Sequence, residues 1–245
     1  MITFDHVTKR YAKAAEPALR DLCMEVKPGV LLGLIGPNGA GKTTAIRLLT
    51  GVLAPSAGRV LIGGHDMAKD PVAAKRLIGL VPDGQEMYDR LTGLEYLNFM
   101  ADIYGVDAAR RRVHIEKYLA PFGLEKAAGD QIRSYSRGMR QKLTIIGALL
   151  HDPKVWVLDE PMVGLDPRAA HILKEEMRAR AYAGATVFFS THVLEVAERL
   201  CDEVGIIHQG SLIARGSLDA LRNGAADKGL ENLFLELTET EAVEA

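Results

Sequence analysis

The stretch Val30-Leu31-Leu32-Gly33-Leu34-Ile35-Gly36-Pro37-Asn38-Gly39-Ala40-Gly41-Lys42-Thr43-Thr44 sets the terms for the whole chain. Val30 to Ile35 is a continuous apolar run, the pattern of a strand buried on both faces of a sheet. Gly36 to Thr43 fits G-x-x-x-x-G-K-[ST], and Thr43 to Leu53 carries apolar residues at helical spacing. A phosphate-binding loop needs that order of strand, loop and helix. Its glycines let the backbone curl until successive N–H groups converge on phosphate oxygens. Lys42 supplies a point charge for β- and γ-phosphates, the helix N-terminus adds its partial positive charge, and Thr43 offers a hydroxyl to Mg²⁺. Gly36, Pro37, Asn38, Gly39, Ala40, Gly41, Lys42, Thr43 and Thr44 are therefore the expected cradle for a nucleotide.

Working outward, Ile2 to Val7 and Leu19 to Val26 read as strands of a hairpin or small sheet. Ile78 to Pro82 reads as a strand, and Val155 to Leu158, Thr186 to Phe189 and Val204 to Ile207 read as buried strands, separated by helical segments such as Arg168 to Tyr182 and Leu194 to Leu200. This alternation predicts an α/β fold: a P-loop NTPase core with a mostly parallel sheet and N-terminal antiparallel strands. Residues 93–150 carry helical pattern with breaks near Gly105, Pro121-Phe122-Gly123 and Gly129, and read as an inserted helical subdomain. The expected organisation is one domain over 1–245: an α/β core of 1–92 and 151–215, the helical subdomain 93–150, and a helical tail 216–245. In the tail, Leu230, Leu233, Phe234 and Leu237 form one apolar face, expected to pack on its own domain.

Composition narrows the classes. Of 245 residues, 48% are hydrophobic and 25% charged, the balance of a globular chain rather than a disordered one. A net charge of -2 gives no global pull toward nucleic acid, and none is expected as a partner. No apolar run approaches the roughly 20 residues that span a bilayer, and the N-terminus lacks the apolar core of a signal peptide. A membrane role would therefore require docking onto a separate membrane partner. Cys23 and Cys201 form no CxxC pattern and are expected to be buried small hydrophobes in a reducing compartment. Arg110-Arg111-Arg112 reads as a solvated helix face. His65, His114, His151, His171 and His208 show no metal-ligand spacing, and zinc is not expected.

A second chemical element is Val155-Trp156-Val157-Leu158-Asp159-Glu160. A buried strand ending in two carboxylates delivers them to the C-terminal edge of the sheet, where α/β folds bind ligands. Asp159 can hold Mg²⁺ through its water shell, and Glu160 can orient or deprotonate an attacking water.

With the phosphate loop come Tyr135-Ser136-Arg137-Gly138-Met139-Arg140-Gln141, the Asp-Glu strand, Gly164-Leu165-Asp166 and Ser190-Thr191-His192. In this order they resemble the motif set of ATP-binding cassette (ABC) ATPases, over essentially the whole chain. The resemblance implies ATP binding and hydrolysis. It also implies a dimer in which Ser136, Arg137, Gly138 and Met139, the signature, meet the γ-phosphate of ATP held by the opposite subunit. The helix expected to open at Gly138 agrees, since its N-terminus can face an anion. By the same resemblance His192 is the switch histidine at the γ-phosphate, Asp166 communicates across the dimer, and Tyr11 stacks on adenine. The implied partners are an integral membrane transporter subunit and a second ATP-binding subunit, with a homodimer expected, at the cytoplasmic face of the cell membrane. The ending Leu233-Phe234-Leu235-Glu236-Leu237-Thr238 resembles the exporter-type ABC-2 branch. A soluble ABC ATPase of DNA repair or translation is the alternative; such relatives usually carry coiled coils, zinc modules or tandem cassettes that this length does not hold.

Two positions depart from the family pattern. The usual signature is Leu-Ser-Gly-Gly-Gln, and here Tyr135, Arg137 and Met139 replace three of its residues. Arg137 stands where glycine would tolerate any backbone angle, so positive φ is not needed there. Met139 cannot make the hydrogen bonds of glutamine. After Ile78-Gly79-Leu80-Val81-Pro82, where the family places a glutamine that reaches Mg²⁺ and water, the chain has Asp83; aligning Met87-Tyr88 and Leu91-Thr92-Gly93 leaves no room to shift Gln85 there. Asp83 either approaches the metal or has lost that contact and couples only to the membrane partner.

Overall fold

Strands β1 (Ile2–Lys9) and β2 (Leu19–Val26) pair antiparallel, as their apolar pattern predicts, in a computed structural model that describes residues 1–12, 14–84, 87–222 and 229–236. Next, β3 (Leu31–Ile35) has every residue buried and leads through the glycine loop into α1 (Lys42–Leu49). This helix stops short of the expected Leu53: the Thr50 hydroxyl donates back to the Ile46 carbonyl and the chain turns at Gly51. Then come β4 (Ala57–Ile62), β5 (His65–Asp66), α2 (Pro71–Arg76) and β6 (Ile78–Val81). Three helices follow: α3 (Gly93–Ile103), started by a Thr92–Glu95 capping box, α4 (Ala108–Leu119), capped by Asp107, and α5 (Arg137–Leu149), capped by Ser136. The remaining elements are β7 (Val155–Asp159), α6 (Pro167–Tyr182), β8 (Thr186–Thr191), α7 (Leu194–Leu200), β9 (Glu203–His208), β10 (Ser211–Gly216), α8 (Leu218–Leu221) and a helix over residues 230–236.

The strands form two sheets. One has six strands in the order β10-β9-β3-β8-β7-β6, parallel except for β10, and the other is an antiparallel set in the order β2-β1-β4-β5. Apolar clusters cover both faces of the parallel sheet, which is why its strands read as unbroken apolar runs. Trp156, Leu158, Val187 and Phe189 pack with Leu97, Leu143, Ile146, Leu149, Leu173 and Met177 from α3, α5 and α6. Val155, Val157, Phe188, Leu32 and Leu34 pack on the opposite side, with Ile46 and Leu49 of α1 and with Phe4, Leu22 and Val60 of the antiparallel sheet. The helices of residues 93–150 thus share one apolar cluster with the sheet.

Several features differ from expectation. β4, β5 and β10 carry little sequence signal: β4 begins with three exposed residues, and β10 is half-buried throughout without alternation. Cys23 is exposed, because it occupies the outward position between buried Leu22 and Met24 on β2. Cys201 is partly buried, and burial pushes its thiol well above the usual range. Arg111 leaves the solvated face and pairs with Asp102. In the tail, Leu230 is buried and Leu233 and Phe234 pack with Ile35, Ala197, Val204 and Ile206 on their own domain. Leu237 of that face, Gln85, and residues 223–228 and 237–245 lie outside the described residues.

Candidate active site

Four parallel strands end at one edge of the sheet and each delivers part of a single site. The glycine loop follows β3, Asp159 and Glu160 end β7, His192 follows β8, and Asp83 follows β6. Gly41 caps α1 at φ +110°, and a Cβ there would stand 2.7 Å from the Ala18 carbonyl oxygen, so only glycine fits. The first turn of α1 has no side-chain cap hydrogen bond and no acidic residue. Its N–H groups, Gly41 included, are thereby available to an anion.

Lys42 is only 6% exposed. Its ammonium donates to the carbonyls of Gly36 (2.7 Å) and Pro37 (3.1 Å) and stands 3.8 Å from the Glu160 carboxylate. Burial lowers its pKa, opposed by the negative charges of Glu160 and Asp159. On the other side of Glu160, His192 Nδ1 lies 3.0 Å from the same carboxylate oxygen. Glu160 therefore stands between a cation and an imidazole at the mouth of the phosphate loop. Its backbone adopts φ +46°, a conformation costly for a non-glycine residue and concentrated at functional sites.

Ser190, fully buried at the end of β8, holds this geometry. Its hydroxyl donates to Asp159 Oδ1 at 2.5 Å and accepts from the Glu160 N–H at 3.0 Å. Thr43 also hydrogen-bonds to Asp159. Burial above all, and then the charges of Asp83 and Glu160, push the Asp159 carboxyl up against those hydrogen bonds. Three carboxylates, Asp159, Glu160 and Asp83, therefore gather near the Thr43 hydroxyl, with Lys42 as the near cation. Oxygen-only donors with an excess of negative charge fit a hard divalent cation such as Mg²⁺.

Asp83, exposed just past β6, lines two adjoining cavities. One, of about 190 Å³, is walled by the phosphate loop, Thr43, Thr44 and Glu160. The other, of about 380 Å³, joins Asp83, Asp159 and Glu160 to Arg137 and Arg140. Tyr11, 38% exposed, directs its hydroxyl to Thr44 Oγ1 at 3.3 Å, beside the start of α1.

The signature lies apart from this cradle. Ser136 caps α5, accepting from the Met139 N–H at 3.3 Å, and Arg137 opens the helix without positive φ. Gly138 packs so tightly that a Cβ would sit 2.7 Å from the Gly164 carbonyl oxygen. Met139 turns toward the apolar cluster rather than outward. Tyr135 replaces leucine and donates its hydroxyl to the Ala127 carbonyl at 2.5 Å. Asp166 caps α6 and pairs with Lys142 at 2.6 Å, and that hydrogen bond leads the causes that hold its carboxyl below the usual range. Of these, only Arg137 reaches a cavity shared with Asp159 and Glu160; Ser136, Gly138, Met139 and Asp166 line neither.

Sequence reading passed over Ser190 and Lys142 as individual residues. A hydroxyl closing the otherwise apolar Val187-Phe188-Phe189 run was the available signal for Ser190. Lys142 carries no comparable mark.

Known proteins place the chain. The ABC transporter family model matches residues 19–163. The ABC transporter ATP-binding protein NatA of Bacillus subtilis is 34% identical over 238 residues, 96% of this chain and 97% of that protein. The Nod factor export ATP-binding protein I of Paraburkholderia xenovorans is 37% identical over 220 residues, 90% of this chain and 72% of its own length. A solved structure of an ATP-binding subunit of an ABC transporter superposes with a TM-score of 0.93 at 35% identity, covering 97% of this chain and 99% of that one. The chain belongs to the ABC transporter family, as an ATP-binding subunit whose activity is ATP hydrolysis.

Proposed function

We propose that the chain is the motor of an exporter and that Glu160 positions and activates the water that attacks ATP. The observation that carries this reading is the Glu160 carboxylate, 3.8 Å from Lys42 and 3.0 Å from His192. Lys42 and the backbone N–H groups of Asn38, Gly39, Ala40, Gly41, Thr43 and Thr44 hold the phosphates, with Gly36 and Pro37 shaping the loop's entry, Tyr11 stacks on the adenine, and His192 meets the γ-phosphate. Thr43, Asp159 and Asp83 would hold Mg²⁺, which when bound offsets phosphate charge. Ser190 keeps Asp159 in place and fixes the backbone of Glu160.

The other half of the site comes from a second copy. Ser136 and Arg137 stand exposed, with Gly138 and Met139 half-buried behind them, at a helix start outside the phosphate cradle, and a head-to-tail homodimer brings that start onto the partner's γ-phosphate. Asp166 and Lys142 border this surface and carry the signal between sites. Residues 93–150 serve as the helical subdomain. Where it joins the core, Tyr88 and Phe99 meet edge to face at 5.4 Å over a cavity of about 700 Å³ bordered by Leu91. An exposed aromatic groove beginning a few residues beyond Asp83 suits a helix of the membrane subunit at the cytoplasmic face. Among the described residues, no helix is long and apolar enough to cross a membrane. Export is favoured over import by the similarity to a protein named for Nod factor export.

Glu160→Gln tests the central claim. ATP binding should persist while turnover falls by about 10²-fold or more, and the variant should accumulate as an ATP-bound dimer on size-exclusion chromatography. Undiminished turnover under saturating Mg-ATP would remove Glu160 from the reaction.

A further inference from the structure

On the outer face of the β1–β2 hairpin three potential metal ligands converge. His6 Nδ1, an Asp21 carboxylate oxygen and Cys23 Sγ all lie within 4.8 Å of one another, and all three residues are exposed. The ring nitrogen is their common point: Nδ1 is 2.8 Å from Asp21 Oδ1 and 3.4 Å from Cys23 Sγ.

Local backbone geometry creates this meeting. Ile2 and Phe4 point into the core, and strict alternation would send His6 inward with them. The register of β1 against β2 shifts between Phe4 and Val7, His6 takes φ +52°, and the side chain turns outward while Val7 fills the core position. A bulge that re-aims one side chain in this way is a recurrent device of strand edges. Across the pair, Asp21 at φ +46° and Cys23 stand two residues apart on the same exposed face of β2.

We propose that His6, Asp21 and Cys23 form a surface site for a divalent ion of the zinc class, separate from the nucleotide site. Imidazole, thiolate and carboxylate make a mixed donor set of borderline softness, suited to Zn²⁺ and Co²⁺ and poorly suited to Mg²⁺. Tetrahedral zinc, with bonds of about 2.0–2.3 Å, separates its ligand atoms by roughly 3.4–3.6 Å. The Sγ–Nδ1 distance of 3.4 Å already matches, and the Nδ1–Oδ1 pair at 2.8 Å needs to open by roughly 0.6 Å, within reach of a rotation of the exposed Asp21 side chain. Binding releases the thiol proton, and the imidazole takes the tautomer with its proton on Nε2 so that Nδ1 presents a lone pair. A fourth position stays open to water. The bound ion cross-links β1 to β2 on the hairpin whose connecting loop carries Tyr11. Histidine spacing along the chain gave no hint of this, because His6 lies on β1 and Asp21 and Cys23 on β2, and the two strands meet only in the fold.

The test uses the full chain with a non-chelating reductant and no nucleotide. Co²⁺ titration should develop a thiolate-to-cobalt charge-transfer band at one equivalent per chain, and Zn²⁺ should abolish it by displacement. Cys23→Ser should remove the band, whereas Cys201→Ser should leave it. His6→Gln and Asp21→Asn should each weaken Zn²⁺ binding by about tenfold or more in calorimetry. Zn²⁺ should also raise the unfolding temperature of the wild type and not of Cys23→Ser. These variants lie on an exposed face, and retained ATPase activity certifies their fold. A band that survives Cys23→Ser, Zn²⁺ affinity indifferent to His6→Gln, or no thiolate band at millimolar Co²⁺ would each overturn the site.

Discussion

On the phosphate-loop side of the site, Lys42, Asp159 and Ser190 are 6%, 3% and 0% exposed, whereas on the signature side Ser136 and Arg137 stand exposed at the start of α5. The buried side holds its charges in place before any ligand arrives. Lys42 is anchored on two carbonyls, Asp159 on two hydroxyls, and Glu160 through its own backbone N–H. The signature side offers a helix N-terminus and one hydroxyl, with rigidity supplied from behind by Gly138 against Gly164 and by Tyr135 against Ala127. Such a contrast suits a site split between two molecules. Preorganised electrostatics do most when water is excluded, and in the proposed dimer exclusion on the exposed half waits for a second subunit.

The sharpest way to break that contrast is to damage each half in a different molecule. Lys42→Ala and Ser136→Arg should each lower ATPase activity by about 10²-fold or more as pure proteins. Mixed together, the two give a dimer with one intact composite site: the phosphate loop of the Ser136→Arg subunit faces the signature of the Lys42→Ala subunit. ATP-dependent dimerisation should return, with part of the activity. A mixture as inert as its components would mean that the two halves do not meet across subunits.

A smaller effect is expected at Ser190, which acts through Asp159 and Glu160 rather than on the nucleotide. Ser190→Ala should lower kcat by about 10- to 100-fold and raise the Mg²⁺ concentration for half-maximal rate, with little change in KM for ATP. Ser190→Thr, which keeps the hydroxyl, should recover most of the loss. A Mg²⁺ dependence identical to wild type, with only the unfolding temperature lowered, would reduce Ser190 to a packing role.

The same contrast explains what could be read from the chain before its structure. Val30 to Thr44 was legible because strand, loop and helix are contiguous, so the local pattern carries the whole device. Asp159 and Glu160 were legible as the polar end of a buried strand. The start of α5 was legible to within a residue, expected at Gly138 and found at Arg137, and the Ser136 cap on the Met139 N–H is a local matter too. Ser190 and Lys142 were not, because their partners lie 31 and 24 residues away, and only strand order and helix packing bring them into contact. β4 and β10 failed for a different reason: β4 opens with three exposed residues and β10 is half-buried throughout, which leaves little alternation to detect. At Cys23, a small apolar-type residue was expected inside, and the parity of β2 put it outside.

Asp83 sharpens the comparison at its boundary, since it is exposed like the signature yet lines the buried cradle. Its charge helps to push up the pKa of Asp159, so the two carboxylates sense each other. A divalent cation between them would relieve that repulsion, and the relief should appear as tighter metal binding in the ATP complex. Asp83→Asn removes the charge and keeps the size. The Mg²⁺ concentration for half-maximal hydrolysis should then rise by about three- to tenfold, the range of one exposed carboxylate's contribution to a shared ion. A magnesium titration of ATPase rate for both proteins, at fixed ATP and without the membrane subunit, decides the matter. Superimposable curves would make Asp83 a coupling residue that acts only through the neighbouring Tyr88–Phe99 groove. Such a residue would show its loss in partner-stimulated turnover alone. The position of Asp83 at the carboxyl end of a core strand, with Thr43 and Glu160 on the same cavity wall, favours the metal.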